Sequence, residues 1–140
     1  ADEVFARTMD YIKQRKQFGK LIGEFQGLQH RAAVLYADLE ISRAALLKAQ
    51  QALDADIHTA GRAVAVAKAR AGRTATTAVQ EGVQMHGGMG VSEEVLATRL
   101  AQRLLASEFR YGDRLTHAAR LMAPPTHPLP ESTPVSRRAP

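Results

Sequence analysis

Two short segments carry most of the groups with chemical reach. The first, Arg15-Lys-Gln-Phe-Gly19-Lys-Leu-Ile22-Gly-Glu-Phe-Gln26, sets a guanidinium, two side-chain amides and aromatic rings around glycines. The second, Gln84-Met-His-Gly87-Gly88-Met-Gly90, places an amide just ahead of paired glycines. A guanidinium offers a planar fork of donors that matches phosphate oxygens. Arg15 equally suits the C-terminal end of a helix, where a solvated cation complements the dipole. Gln17, Gln26 and Gln84 can hydrogen-bond a ligand's ring nitrogens or hydroxyls, or stand as ordinary loop polars. Phe18 serves either an interface or the core. Gly87 and Gly88 permit positive φ and leave no Cβ in the way, which suits close approach of a ligand and also a helix stop. The double glycine is not a dinucleotide-binding fingerprint, because it follows a helix rather than a strand and its third spacing is wrong. His30, His58, His86 and His117 are scattered without an acidic partner at ligand spacing, which argues against a metal site.

These segments must be held by helices. All six prolines lie at position 124 or beyond, so residues 1–123, rich in Ala, Leu, Arg, Gln and Glu, have nothing to break a helix ladder. Phe5, Met9 and Ile12 share a face and predict a first helix from Asp2 to Gln17, broken at Phe18-Gly19. Gly19–Gly27 reads as a loop. Leu28, Leu35, Leu39, Leu46, Ala49 and Leu53 predict a second helix, Leu28–Leu53. Asp54-Ala-Asp56 marks a turn and supplies an N-cap. A stripe of Ile57, Ala60, Val64, Ala67, Ala71, Ala75 and Ala78 predicts a third helix, Ile57–Val83, narrow enough for close packing. Gln84–Gly90 reads as a loop. Ser92 offers a cap for a fourth helix, Glu93–Arg110, with Leu96, Leu100 and Leu104 on one side. After Tyr111-Gly112-Asp113, a short helix, Arg114–Met122, closes the domain. The fold class is therefore all-α, an antiparallel up-and-down four-helix bundle over residues 1–123, followed by a Pro-rich tail, Pro124–Pro140, expected to be disordered.

The composition sets the limits. One hydrophobic core fits 140 residues with 45% apolar content, and with no Trp that core is built from aliphatic side chains. The absence of cysteine excludes disulfides, thiol catalysis and cysteine metal sites, and suits a reducing compartment. No apolar run is long enough for a membrane span. Ala1–Asp10 resembles neither a signal nor a transit peptide. A net charge of +5 points toward phosphate without choosing its carrier. Ala- and Arg-rich usage points to a bacterium, hence the cytoplasm.

The two segments, in this order with Pro-free helices between them, resemble the acyl-CoA dehydrogenase family: R-x-x-F-G-x-x-I-x-x-x-Q, then Q-x-x-G-G-x-G. The resemblance spans Ala1–Met122 and implies a C-terminal helical domain fold. It implies FAD as cofactor, an acyl-CoA substrate, and α,β-dehydrogenation with hydride passing to FAD N5. It also implies an electron-transfer flavoprotein as acceptor, and a homo- or hetero-oligomer, dimer or tetramer, in which the bundle packs on a neighbour. Arg15 would reach the FAD pyrophosphate of the adjacent subunit, with Gln17 and Phe18 beside it. Gln26 and Gln84 would lie near the adenine end, and Gly87 and Gly88 would let backbone approach the cofactor.

One departure stands out. Many members carry the catalytic base in a Tyr-Glu-Gly-Thr stretch, and counting from Gln84 places Tyr111 where that glutamate would stand. A phenol titrates near about 10, against about 4.3 for glutamate, and is a poor base at neutral pH. Glu108, one turn earlier, is a weak substitute: a turn moves a carboxylate by about 5 Å, against the roughly 3 Å reach of proton transfer. The base then lies upstream of Ala1, or the chain is a non-catalytic subunit of a heteromer, or its activity has drifted. Two rival classes stand beside the enzyme: a structural or interaction bundle, and a nucleic-acid-binding domain using Arg62, Lys68, Arg70, Arg73, Arg99, Arg103 and Arg110. The second lacks aromatic platforms and a recognition-helix motif, and acids are interspersed among its bases.

Overall fold

Helix α1 (Asp2–Gln14) starts with Asp2 and Glu3 in its first turn, where acids favour the dipole, and buries Val4, Thr8 and Ile12 on one stripe. The computed structural model describes residues 1–91 and 96–123. α1 stops at Gln14, three residues before the predicted end. Arg15 takes extended dihedrals while its N–H still reaches Tyr11 O at 2.9 Å. The reason is the pair that follows. Phe18 and Gly19 have φ of 54° and 80°, and two successive positive-φ residues make the tight turn whose twist suits a hairpin. Strands β1 (Lys16–Gln17) and β2 (Lys20–Leu21) therefore pair antiparallel, Lys16 opposite Leu21 and Gln17 opposite Lys20. A 3₁₀ turn at Ile22–Glu24 leads into the next helix.

Helix α2 (Gln26–Ala55) begins two residues earlier than predicted, so Gln26 is helical, and it buries Ala32, Leu35, Leu39 and Ala49. Asp56 does not cap a helix at Ile57. Its side chain accepts the His58 N–H at 2.9 Å, and its carbonyl accepts from Thr59 and Ala60 N–H at 3.3 and 3.1 Å. That local turn occupies 57–60, and helix α3 runs Gly61–His86. α3 also outlasts its predicted end at Val83. Gln84, Met85 and His86 form its last turn, because the positive-φ residue that stops it is Gly87, at φ 61°. Gly87–Val91 is a 3₁₀ turn.

Helix α4 (Leu96–Glu108) ends two residues before the predicted Arg110, where Tyr111 and Gly112 turn the chain with φ of 63° and 95°. Its predicted start at Glu93 and the Ser92 cap lie outside the described residues, as does the tail 124–140. Helix α5 (Arg114–Met122) matches the predicted span. Asp113 caps it, accepting the Thr116 N–H at 2.8 Å, and these bonds from the Thr116 region hold its carboxyl below the usual 3.8.

The all-α expectation holds; the only strands among the described residues are the two arms of the hairpin. Helices α1, α2 and α3 alternate in direction. Arg31 pairs with Glu81 at 2.6 Å and Asp38 with Arg70 at 2.5 Å, so α2 and α3 are antiparallel. Val4 faces Gly82 while Ile12 meets Met85, so α1 and α3 are parallel. The core has two layers. Ile12, Ala32 and Met85 gather Phe5, Met9, Tyr11, Ile22 and Leu28; next to them Leu35, Leu39 and Ala78 gather Phe5 and Leu104. The small side chains on α3 bring its neighbours close. A Cβ on Gly82 would stand 2.9 Å from Val4 Cγ1, and one on Gly72 would stand 3.3 Å from Glu108 Cγ. Among the described residues, no helix is long and apolar enough to cross a membrane.

Candidate functional site

The hairpin and the double-glycine turn stand at the same end of the bundle. The hairpin hangs from the C-terminal end of α1, and the double glycine from the C-terminal end of the parallel α3. The first core layer joins them, since Ile12, Ile22 and Leu28 pack around Met85. Tyr11 ties them more directly. Its ring stacks on the His86 imidazole at 4.4 Å between centroids, and its hydroxyl donates to His86 O at 3.3 Å. His86 Nδ1 lies 2.8 Å from Gly82 O, an acceptor, so Nδ1 carries the proton.

Arg15, Gln17, Phe18, Gln26, Gln84, Gly87 and Gly88 are thus gathered at one end, and every one of them is exposed. The side chains of Arg15, Gln17, Gln26 and Gln84 make no hydrogen bond or ion pair among the described residues. Phe18 is 89% exposed at a strained φ, a position that does nothing for this chain's own core. Its ring meets Phe25 edge-on at 6.2 Å, and Lys20 Nζ sits 4.2 Å over the Phe25 ring. A Cβ on Gly87 or Gly88 would meet nothing within 4 Å, so open space lies in front of that backbone. Unspent amides, a guanidinium, exposed aromatic surface and bare backbone form a donor set that fits a phosphate-bearing aromatic ligand such as FAD. The sequence did not single out Tyr11 and Lys20. An aromatic one helical turn before Arg15 was the available signal for the first.

The two candidates for the base lie elsewhere and do not share a direction. Tyr111 is 84% exposed on its turn. Glu108 is 9% exposed and faces inward against Gly72 of α3. Its carboxylate accepts the Thr76 hydroxyl at 2.8 Å and lies 3.7 Å from Arg114 Nε, while Lys68 Nζ donates to its backbone carbonyl at 3.0 Å. Ten residues of helix separate Thr76 from His86, about 15 Å along α3. Lys68 and Arg70, two members of the predicted basic face, are engaged within the fold, with Glu108 O and Asp38.

An all-α bundle that brings an arginine-bearing hairpin and a double-glycine turn to one surface matches known proteins closely. Residues 1–122 match the model of the acyl-CoA dehydrogenase C-terminal domain, and the chain belongs to that family as its C-terminal domain. The acyl-CoA dehydrogenase IpdE2 of Mycobacterium tuberculosis is 36% identical over 94 residues, covering 67% of this chain and 28% of that protein. The probable acyl-CoA dehydrogenase YngJ of Bacillus subtilis is 31% identical over 119 residues, covering 82% and 31%. Among solved structures, butyryl-CoA dehydrogenase from Megasphaera elsdenii superposes with a TM-score of 0.81 at 26% identity, over 86% of this chain and 31% of that one. The ChsE4-ChsE5 complex from Mycobacterium tuberculosis superposes at 0.81 with 27% identity, over 86% and 33%. A structure described as the FAD complex of PigA superposes at 0.78 with 25% identity, over 86% and 31%. The chain spans under a third of the length of these two curated relatives.

Proposed function

We propose that this chain supplies one wall of the FAD site of an acyl-CoA dehydrogenase, reaching across to the flavin held by a neighbouring subunit. One observation carries the reading: two turns far apart in sequence meet at one end of the bundle and turn their unspent polar groups outward. Arg15 would pair with the pyrophosphate, with Gln17 and Phe18 beside it. Gln26 and Gln84 would hydrogen-bond toward the adenine end, and the open backbone at Gly87 and Gly88 would let the cofactor approach. Bound FAD accepts the hydride lost from the acyl chain.

In the full-length protein, Arg15→Ala and Gln84→Ala test this. A hydrogen bond to a charged group contributes about 1.5–3 kcal/mol, so Arg15→Ala should weaken FAD binding roughly 10- to 150-fold. Gln84→Ala should weaken it less. Both side chains are exposed, so the melting temperature of the apoprotein should hardly move. Unchanged FAD affinity in both variants would remove the proposal. The isolated chain should bind FAD weakly or not at all, because it lacks the remainder of the site, and flavin fluorescence titration measures this.

A second reading concerns catalysis. Tyr111 stands where the family resemblance puts a glutamate, and Glu108 is committed to Thr76 and α3. The chain then belongs to a protein whose base lies outside these residues, to the non-catalytic subunit of a heteromer, or to a protein whose activity has drifted. The similarity to the ChsE4-ChsE5 complex supports the heteromer. Full-length protein loaded with FAD and offered acyl-CoA thioesters of several lengths distinguishes the first from the other two. Reduction of an artificial acceptor places the base in the same polypeptide; silence despite bound flavin leaves the heteromer or the drifted activity. An acyl-CoA substrate, an electron-transfer flavoprotein as acceptor, a dimeric or tetrameric assembly and a bacterial cytoplasmic location belong to the same proposal.

A further inference from the structure

We infer that Tyr11 is a positioning residue that holds the hairpin and the double-glycine turn as one rigid unit, an inference that rests on the FAD reading above. The connection runs through two different parts of the residue. Its main-chain carbonyl receives the N–H of Arg15 at 2.9 Å, which fixes where α1 releases the hairpin. Its hydroxyl donates to His86 O, at the junction where α3 ends and the 3₁₀ turn begins. That carbonyl and the Gly87 N–H belong to one peptide plane. The Gly87 N–H is held by Gln84 O, so the plane is pinned on both edges at the point where the chain enters the double glycine. The imidazole adds a third restraint. Its Nδ1 proton is held by Gly82 O one turn back, and its face lies against the Tyr11 ring at an interplanar angle of 23°.

Neither Tyr11 nor His86 belongs to the exposed donor set; Tyr11 is half-buried and His86 buried. The glycine pair opens the 3₁₀ turn and faces open space on its outer side. The Tyr11 hydroxyl and ring add to it a restraint from behind, anchored on α1. Arg15 and Gly87 are thereby kept at a fixed separation, so that both meet one ligand without the entropy loss of ordering two independent turns.

The test uses the full-length protein, stripped of flavin and retitrated with FAD, alongside the melting temperature of the apoprotein. Tyr11→Phe removes the hydroxyl and keeps the stack; at 3.3 Å this bond is long, and the FAD dissociation constant should rise about 2- to 5-fold. Tyr11→Leu removes both and should raise it at least about 10-fold. Combined with Arg15→Ala, Tyr11→Leu should add less than it does alone, since one of the two groups it holds in register is gone. A dissociation constant within about twofold of wild type in Tyr11→Leu, with a lowered melting temperature, would make Tyr11 an ordinary packing residue and overturn the inference. If Tyr11→Leu does not fold, an unchanged constant in Tyr11→Phe overturns it. Arg15→Ala and Gln84→Ala alone separate the two levels. If they leave FAD binding intact, the reading of the site fails; if they weaken it and the Tyr11 variants do not, only the positioning role fails.

Discussion

Gly82 sets the spacing between α1 and α3, and replacing it with alanine measures how tightly that spacing is held. The added Cβ would stand 2.9 Å from Val4 Cγ1 and 3.5 Å from Thr8 Oγ1. Carbon atoms in contact prefer about 3.5–4.0 Å, so α1 must retreat by roughly 0.6–1 Å or Val4 must leave its rotamer. Val4 is buried and β-branched, with one favoured rotamer in a helix, so the strain falls on the helix pair. Overpacking of this kind costs about 1–3 kcal/mol, while alanine in a helix interior returns about 1 kcal/mol relative to glycine. The net expectation is a loss of up to about 2 kcal/mol, or several degrees in melting temperature. Gly27→Ala is the control. It lies in the first turn of α2 with nothing within 4 Å of the added Cβ, so it should stabilise by up to about 1 kcal/mol. Urea denaturation of the chain, followed by far-UV circular dichroism, compares the two. Val4→Ala in the Gly82→Ala background should restore part of the loss, with a coupling energy of about 1–2 kcal/mol. Equal stabilisation by both alanines, with no coupling to Val4, would refute the claim that Gly82 sets the spacing.

Leu35→Ala should cost about 2–5 kcal/mol by urea denaturation, because Leu35 is 0% exposed where α1, α2, α3 and α4 meet. Asp113 has its carboxyl held below 3.8, chiefly by the backbone N–H and the side-chain hydroxyl of Thr116. Its cap is therefore fully in place above that pH and is lost as pH falls through the lower folded-state value. Melting curves from pH 5 down to pH 2 should show a steeper loss for wild type than for Asp113→Asn, which keeps a capping oxygen without the charge. Tyr111→Gly should raise stability by about 0.5–1 kcal/mol, since the side chain is exposed at a φ that L residues adopt at a cost.

The helices were readable because their apolar spacing is helical and proline is absent from residues 1–123. Their ends were read less well, and each discrepancy has a local cause. Lys16-Gln17 and Lys20-Leu21 carry no β-forming signal. They become strands because Phe18-Gly19 adopts two positive φ angles, and a reading that takes glycine only as a helix stop leaves the arms undefined. The Asp56 turn displaced the start of α3 to Gly61 because a side-chain bond to a nearby N–H competes with helix initiation. Leu46 and Leu53 fit the apolar stripe of α2 but are 56% and 42% exposed, which periodicity alone does not reveal. The members of the candidate site were legible as motif residues. Their convergence required the parallel run of α1 and α3, and the part played by Tyr11 required a ring stack between residues 75 apart in sequence.

The unequal lengths of α1 and α2 divide the domain by mobility. α2 is about 45 Å long and α1 about 20 Å, so α1 covers only the half of α2 nearest the hairpin. Both apolar clusters of the core lie in that half; at the far end Ala49, Ala60 and Ala65 are buried, but Leu46, Leu53 and Ile57 stand exposed. Backbone amides near 53–59 should exchange with solvent through small, frequent openings, and those near 32–39 and 78–86 only when most of the domain unfolds. The surface bearing Arg15 and Gly87 is therefore built on the slow-exchanging half, and its geometry persists through the fluctuations that open the opposite end.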